Sequence, residues 1–581
     1  LWGGEVQVNT TGTLNNDFTL GGYGITVGTG CLLFSQSGTL SGTVALQGDV
    51  GTRIGASFGM RGRLNGVVSG TGPLSVAGKG TVVLGAANTF TGGLRIEPDA
   101  TVALSEGATP GVDTVTVSGT LRFENTTPMT VPWKIVGTGR IVLAGTGTVK
   151  LSNVAGFTGM IVTEGTGTYD LSGGDLTVSD FDVTGSFVNT GDPATLTLDG
   201  TRQVTFAGSA GGALSLVKKG EGVQYVRGNS TYTGATVLEA GTLVVGDPAV
   251  SEALPVTDDI LRLDATVGVT CEAGSDRVVK WADADSKDII FSNVNYQALS
   301  TPNAATYKTN HINGLSTVYF DHSHIRYLAG GVPCSLRTYF GVVAHGHDAT
   351  PFGILDGVFG QGGVDAGIRI HNGTSYSDPI ALTDRVNGDA GSAFAKGTPH
   401  LFSRVYPGNM KWDSPALSDY SPHKRPMSGD ICEIVVYGRV LGETERSLVE
   451  DYLMAKWGLK NLPDPAKYAD VLPTGTDLTV ASAATLDLNG NDQTLASLDL
   501  SGTLTNSVER VATLTLSGVS FVRAGASFGA PNLDLVLSDD AVLDLGGGTF
   551  TIRRLTGRRV QVINGVLNET KPLLDFLLII R

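Results

Sequence analysis

The chain has 581 residues, 81 of them glycine, with only 16% charged residues and a net charge of −15. Glycine runs at about twice its usual ~7% share without a Gly-X-Y period, which excludes collagen, and a 41% hydrophobic fraction excludes a disordered chain. The acidic balance, with no Lys/Arg-rich tract, excludes nucleic-acid binding by phosphate neutralisation, and the length exceeds one ordinary domain unless a solenoid grows coil by coil.

Residues 1 to about 250 read as many short strands. In Gly38-Thr-Leu40, Thr43-Val-Ala-Leu46, Thr114-Val-Thr-Val117, Thr120-Leu-Arg-Phe123 and Thr195-Leu-Thr-Leu198 every second residue is apolar, the period of a half-buried strand. Gly, Asn and Asp separate these runs, where turns need positive φ. Cys31 heads the apolar run Cys31-Leu-Leu-Phe34 and reads as a small buried hydrophobe. One unit recurs: Gly80-Thr-Val-Val-Leu84, Phe90-Thr-Gly92 and Glu97 overlay without a gap on Gly147 to Leu151, Phe157-Thr-Gly159 and Glu164. A third copy begins at Gly222, with Tyr232-Thr-Gly234 and Glu239 at the same offsets. Internal repeats predict a stacked architecture. The fold class predicted is all-β, a right-handed parallel β-helix, with the recurring glutamates as a stacked surface feature.

Lys79-Gly-Thr-Val-Val-Leu84, Asn88-Thr-Phe-Thr-Gly-Gly93 and Lys219-Gly-Glu-Gly222 with Asn229-Ser-Thr-Tyr-Thr-Gly234 resemble the autotransporter-associated β-strand repeat of bacterial surface proteins. The middle copy has lost the Asn and is degenerate. The resemblance implies a β-solenoid, an extracellular or cell-surface location and no chemistry in the repeat itself.

The texture changes near residue 255. All eight histidines fall between His311 and His423, and three of the five tryptophans between Trp281 and Trp457. This usage predicts a globular module inserted at 257–460 between a solenoid at 1–256 and its continuation at 461–581. One helix is predicted at about 442 to 458, with Leu448, Tyr452, Leu453 and Trp457 as its apolar stripe, Gly442 or Thr444 to start it and Gly458 to end it. Leu263-Asp-Ala265, Trp281-Ala-Asp283, Asn313-Gly314 leading to Val318-Tyr-Phe-Asp321, and Gly429 to Tyr437 followed by Arg439-Val-Leu441 and Lys456-Trp-Gly-Leu459 resemble the concanavalin A-like, laminin-G-like jelly-roll family. That resemblance implies that the module is a β-sandwich of two antiparallel sheets with a lectin-like binding role. Beyond Pro463-Asp-Pro465 strict alternation returns in Asp477-Leu-Thr-Val480, Thr485-Leu-Asp-Leu488, Leu498-Asp-Leu500, Thr513-Leu-Thr-Leu516 and Val542-Leu-Asp-Leu545, with Asn489-Gly490 as a turn.

Leu1 reads as an internal start. No stretch reads as a signal peptide, and no apolar run nears the ~20 residues that span a bilayer. Leu573 to Ile580 reads as a last strand. Four cysteines make no disulfide framework, although one pair among Cys271, Cys334 and Cys432 could be bridged.

Few patterns carry chemistry. His322-Ser-His324 sets two imidazoles on one strand face and His345-Gly-His347 repeats the pattern, so these four are candidate metal ligands or ordinary surface histidines. Asp283, Asp285 and Asp288 make calcium the candidate ion, or belong to a solvated loop; the spacing is not that of an EF-hand, and no other cofactor is expected. Tyr376, Trp412 and Tyr420 with Asp378 and Asp413 are the candidate ligand-binding set for a sugar, or part of the core. Concanavalin A-like glucanases usually carry a Glu-x-Asp-x-Glu type strand, which is absent here, and Glu433 stands isolated in its strand. Arg53, Arg61 and Arg63 near Asp49 form a thin version of a β-helix lyase cluster. No Gly-x-Ser-x-Gly, P-loop or Cys-x-x-Cys occurs. The reading is a surface or secreted structural or adhesive protein, not an enzyme, whose stalk presents the sandwich to an extracellular glycan or surface protein. The alternatives are a polysaccharide-acting enzyme and a purely scaffolding subunit that self-associates.

Overall fold

The computed structural model describes the chain from Gly4 to Lys571 apart from residues 26–29, 49–50, 58, 249–252, 286, 288, 294–304, 321–327, 331–333, 346–354, 362–366, 372–382, 391–394, 396, 413–414, 418–427 and 460–466. Several further strand residues are described by their backbone alone. The chain forms two compact units, residues 1–249 with 465–581 and residues 250–464.

The first unit is a parallel β-solenoid. Thr81, Thr101, Thr120, Arg140, Met160 and Asp180 lie in one row of a nine-stranded sheet, and the step from each to the next is one coil. A second, eight-stranded sheet stacks Leu74, Leu94, Val115 and Ile135 in the same manner. Alternation becomes inward ladders: Leu64, Leu84, Leu104, Phe123 and Leu143 line up across successive coils, each fully buried. Each such side chain contributes about 1.5–3 kcal/mol by leaving water. Strands Thr114–Val117 and Thr120–Phe123 have the bounds expected from their alternation. Cys31 is buried, and burial pushes its thiol pKa up.

Glycine abundance has a steric cause at one corner. A Cβ on Gly139 would stand 2.3 Å from the Gly119 carbonyl oxygen, and one on Gly159 would stand 2.0 Å from that of Gly139. The column resumes with Gly200, Gly220 and Gly241, each against the coil before it.

A different corner uses carboxylates. In Asp170-Leu-Ser172 the Asp170 Oδ1 accepts the N–H of Ser172 and, one coil on, that of Thr190, both at 3.0 Å. Asp487-Leu-Asn489 repeats the arrangement with Asn489 and Ser507 at 2.9 and 3.1 Å. These bonds satisfy turn amides that the ladder leaves open. They also set an acid limit. The Thr127 hydroxyl, then the Thr126 N–H, hold Glu106 at a pKa of about 2. The Thr43 N–H lowers Asp17, and the Gly546 N–H with the Asn564 amide lowers Asp544. A carboxylate lowered in the folded state adds stability that is complete above its unfolded pKa and lost as pH falls through its folded one. The solenoid's melting temperature, followed by circular dichroism, should therefore hold from pH 7 to about pH 5 and fall between about pH 4 and pH 2. An unchanged midpoint at pH 3 would contradict this.

The coil period re-orders the repeat. Three coils on from Thr81 the row reaches Arg140, whereas the overlay of the first two copies matches Thr81 to Thr148. Thr148 belongs to the next strand along the chain, Thr148–Leu151, in another sheet. The middle copy is thus one strand out of phase: Leu94–Ile96 and Met160–Thr163, which correspond in the overlay, lie in different sheets. Glu97 and Glu164 therefore do not stack on one another, contrary to the sequence expectation. The third copy is in phase. From Thr81 the row runs through Asp180 to Gln203, by way of the Val183–Phe206 bridge, and on to Val223, seven coils away. Its corner repeats the main bonds of the first. The Asn88 Oδ1 accepts the Val68 N–H at 2.8 Å, and the Ser230 Oγ accepts the Ala210 N–H at 3.2 Å. Thr89 and Thr91 donate to the Val68 and Gly70 carbonyls as Thr231 and Thr233 donate to those of Ala210 and Gly212.

The coil also closes across the whole of the second unit, 250–464. Strand Thr236–Val245 pairs in parallel with Asp477–Asp487, from Thr236 opposite Leu478 to Val244 opposite Asp487. The N–H of Asn88 reaches the Thr109 carbonyl on the following coil, and that of Ser230 reaches the Val471 carbonyl in the same way. The Thr236 hydroxyl links those of Tyr232 and Thr476 at 2.6 and 3.0 Å.

The second unit consists of two antiparallel sheets and one helix. One sheet runs Thr306–Ile312, Leu315–Phe320, Gly429–Tyr437, Cys334–His345, Pro399–Trp412, Thr383–Val386, Asp389–Ala390, with Leu261–Asp264 also on Gly429–Tyr437. The other runs Val269–Cys271, Val278–Ala282, Ile290–Asn293, Leu328–Gly330, Pro415–Leu417, Leu355–Gln361, Gly367–His371. Trp281, Phe291 and Leu417 from the second share one core with Leu263, Phe340 and Val435 from the first. Asn313-Gly314 makes the hairpin, with φ of 48° and 73°. The helix is Glu443–Trp457, preceded by Gly442 and ended by Gly458 at φ 65°. Among the described residues no helix is long and apolar enough to cross a membrane. Cys271 and Cys432 are free thiols, so neither takes part in the suggested bridge.

Candidate functional site

Strand Gly429–Tyr437 is buried at every position, because the sheet core lies on one face and the helix on the other. Glu433 points to the helix side and is fully buried. It is not isolated. Its Oε1 accepts Arg262 Nε at 3.0 Å; its Oε2 accepts Lys456 Nζ at 2.6 Å and the Trp457 indole N–H at 2.9 Å. Asp264 takes the same ammonium at 2.5 Å, and Arg262 also donates to the Tyr452 hydroxyl at 2.8 Å. Burial works against the Lys456 ammonium, but Glu433 and Asp264 outweigh it and raise its pKa. Burial, and after it Asp264, push the Glu433 carboxyl up, while Lys456 and Arg262 oppose them. A glycosidase needs a sugar between its two carboxylates. Here Lys456 fills that space, and the network fastens the first strand, the last strand and the helix together.

The helix bears out its apolar stripe, with Leu448, Tyr452, Leu453 and Trp457 all buried. Three of its charged residues, Glu445, Arg446 and Glu450, are buried as well, which periodicity did not indicate. Glu445 receives two bonds of 2.7 Å from Arg439, and Arg446 pairs with Glu450 at 3.1 Å. A lone Glu inside the apolar run Ile431 to Tyr437 was the available signal, since a buried charge requires a partner.

Asp283 and Asp285 are engaged within their loop. The Asp283 carboxylate accepts the N–H groups of Arg262, Asp285 and Lys287, while Asp285 pairs with Lys287 Nζ at 3.3 Å. No group of three His, Cys, Asp or Glu side chains converges among the described residues. Asp288, His322, His324, His347, Tyr376, Asp378, Asp413 and Tyr420 lie outside the described residues, and His345 and Trp412 are described by backbone alone. Asp49 also lies outside them, and the arginines of the suggested lyase cluster serve the coils instead. Arg53 pairs with Glu97 at 2.9 Å and Arg61 with Glu124 at 2.5 Å, while Arg63 bonds the Ser105 hydroxyl at 3.0 Å. Arg122 joins Glu124 to Glu164, so the two later glutamates share one chain of charges running across the coils.

The architecture is that of a β-solenoid passenger whose ladder is spliced around an inserted antiparallel unit. Comparison with known proteins agrees. The passenger-associated-transport-repeat family matches at residues 74–102 and 216–245, the two copies that are in phase. A stretch of 242 residues, 42% of this chain, is 33% identical to the adhesin BmaC autotransporter of Brucella suis biovar 1 (strain 1330) and covers 5% of that protein. No solved structure matches. The repeat and the relative mark the chain as an extracellular, cell-surface passenger region.

Proposed function

We propose that the chain belongs to a bacterial surface adhesin in which the solenoid is a stalk and the inserted unit a recognition module of the concanavalin A-like, laminin-G-like type. The observation that carries this reading is the parallel pairing of Thr236–Val245 with Asp477–Asp487, which continues past one register shift between Leu238 and Ala240 and makes the insert an addition to a finished coil rather than a part of it. The name of the Brucella relative, an adhesin, supports a binding role. The module's partner is an extracellular glycan or surface protein, contacted through Tyr376, Asp378, Trp412, Asp413 and Tyr420.

A variant with residues 250–464 replaced by a short Gly/Ser linker tests this. Tyr468 Oη lies 2.6 Å from the Asp247 carboxylate, so a short linker suffices. The variant should keep the solenoid's circular-dichroism melt and lose binding to the extracellular-matrix proteins and acidic glycans that the whole chain captures. Equal capture by both forms would reject the module; capture by neither would favour scaffolding, and release of reducing ends would favour an enzyme.

A further inference from the structure

We propose that the outer face of the C-terminal coils carries a second binding site, a cleft for a neutral saccharide centred on Phe521. The cleft has a volume of about 480 Å³ and is lined by Phe521, Arg523, Asp544, Gly546, Gly547 and Asn564 among others. That volume falls in the range of roughly 300–1,000 Å³ of small-molecule sites. Phe521 lies outward in a row with Asp499, Asp544 and Ile563, an aromatic set between two carboxylates.

The polar groups are fixed before any ligand arrives. The Arg523 guanidinium lies 4.4 Å over the Phe521 ring and bonds Asp499 through Nε and a terminal nitrogen, both at 2.7 Å. Asp544 accepts the Gly546 N–H and the Asn564 amide, both at 2.9 Å, which turns these groups toward the cleft. A Cβ on Gly547 would meet nothing within 4 Å, so the wall beside it is open.

The chemistry selects among ligands. An added peptide strand needs an unpaired edge, and Val519–Val522 is already paired on both sides, with Ser497–Leu500 and Val542–Asp544. An anion meets an arginine already neutralised by Asp499, with Asp544 beside it. A bare cation would have to displace the N–H donors on Asp544. A sugar fits what remains: its C–H face lies against the Phe521 edge of the cleft, and its hydroxyls bond the Asp544 carboxylate and the Asn564 amide.

An array of neutral oligosaccharides probed with the whole chain tests the site, independently of the reading of the insert. Binding should fall at least about tenfold in Phe521→Ala and in Asp544→Asn, and persist in Val67→Ala, an exposed position of the N-terminal coils outside the cleft. Both variants alter outward side chains, and a melt checks that the coils stay folded. Absence of any neutral saccharide on the array, or equal binding by Phe521→Ala, overturns the proposal. Loss in Trp412→Ala with retention in Phe521→Ala assigns binding to the insert and overturns it equally.

Discussion

Gly159→Ala should destabilise the solenoid by about 3 kcal/mol, more than any alanine substitution on its exposed surface. The added methyl would stand 2.0 Å from the Gly139 carbonyl oxygen and 2.8 Å from the Thr138 carbonyl carbon. Both are backbone atoms of the preceding coil, so no side-chain rotation relieves the contact. The coils must separate locally, and in a solenoid each coil is held chiefly by its neighbours. The Met160–Arg140 and Ile161–Ile141 pairings next to the corner would weaken first. Gly475→Ala is the matched control, because a Cβ there meets nothing within 4 Å. Urea melts of the two variants should differ by most of the expected amount. A Gly159→Ala midpoint equal to that of Gly475→Ala would show that the corner column is not what demands glycine.

The same corner explains how much of this molecule was legible from residues alone. Alternating runs such as Thr114 to Val117 are strands because one face meets the core, and the sequence states that face directly. The phase of the coils is not written locally. Copies of one motif at Gly80 and Gly147 look equivalent, yet their separation is not a whole number of coils, so equal residues occupy different sheets. The lost Asn marks the middle copy as degenerate, but only the pairing register shows that it is out of phase. Asn88 and Ser230 illustrate the converse: different residues make the same bond to a backbone N–H one coil earlier. A motif search that expects Asn misplaces the equivalence by one residue, at Asn229.

Long-range charge pairing was the least legible feature. Arg262 and Glu433 are 171 residues apart, and Arg61 reaches Glu124 across three coils. Spacing along the chain carries no trace of such pairs. A buried charge does announce that a partner exists, without saying which. This is why Arg53, Arg61 and Arg63 resembled a catalytic cluster, whereas in the fold each reaches forward to a later coil.

Glu433→Ala should cost the second unit about 3–5 kcal/mol, the penalty for breaking a buried ion pair from one side. Lys456 would keep Asp264, but Arg262 would lose its 3.0 Å partner and the Trp457 indole N–H its acceptor. Lys456 and Arg262 would then share Asp264, with Asp285 3.6 Å from Arg262 as the remaining carboxylate, and the buried indole N–H would have no acceptor from Glu433. Glu433→Gln distinguishes charge from shape. It can still accept the indole N–H but cannot neutralise Lys456, so it should recover only a minor part of the loss. Glu433→Leu combined with Lys456→Met removes charges of both signs and should be more stable than Glu433→Ala, because an apolar replacement leaves fewer unpaired ions. Differential scanning calorimetry of the whole chain reads these changes as a shift in the second unit's transition, with the solenoid's transition unmoved. If Glu433→Ala melts with the wild type, the network does not hold the strands to the helix, and Glu433 is retained for a task outside stability.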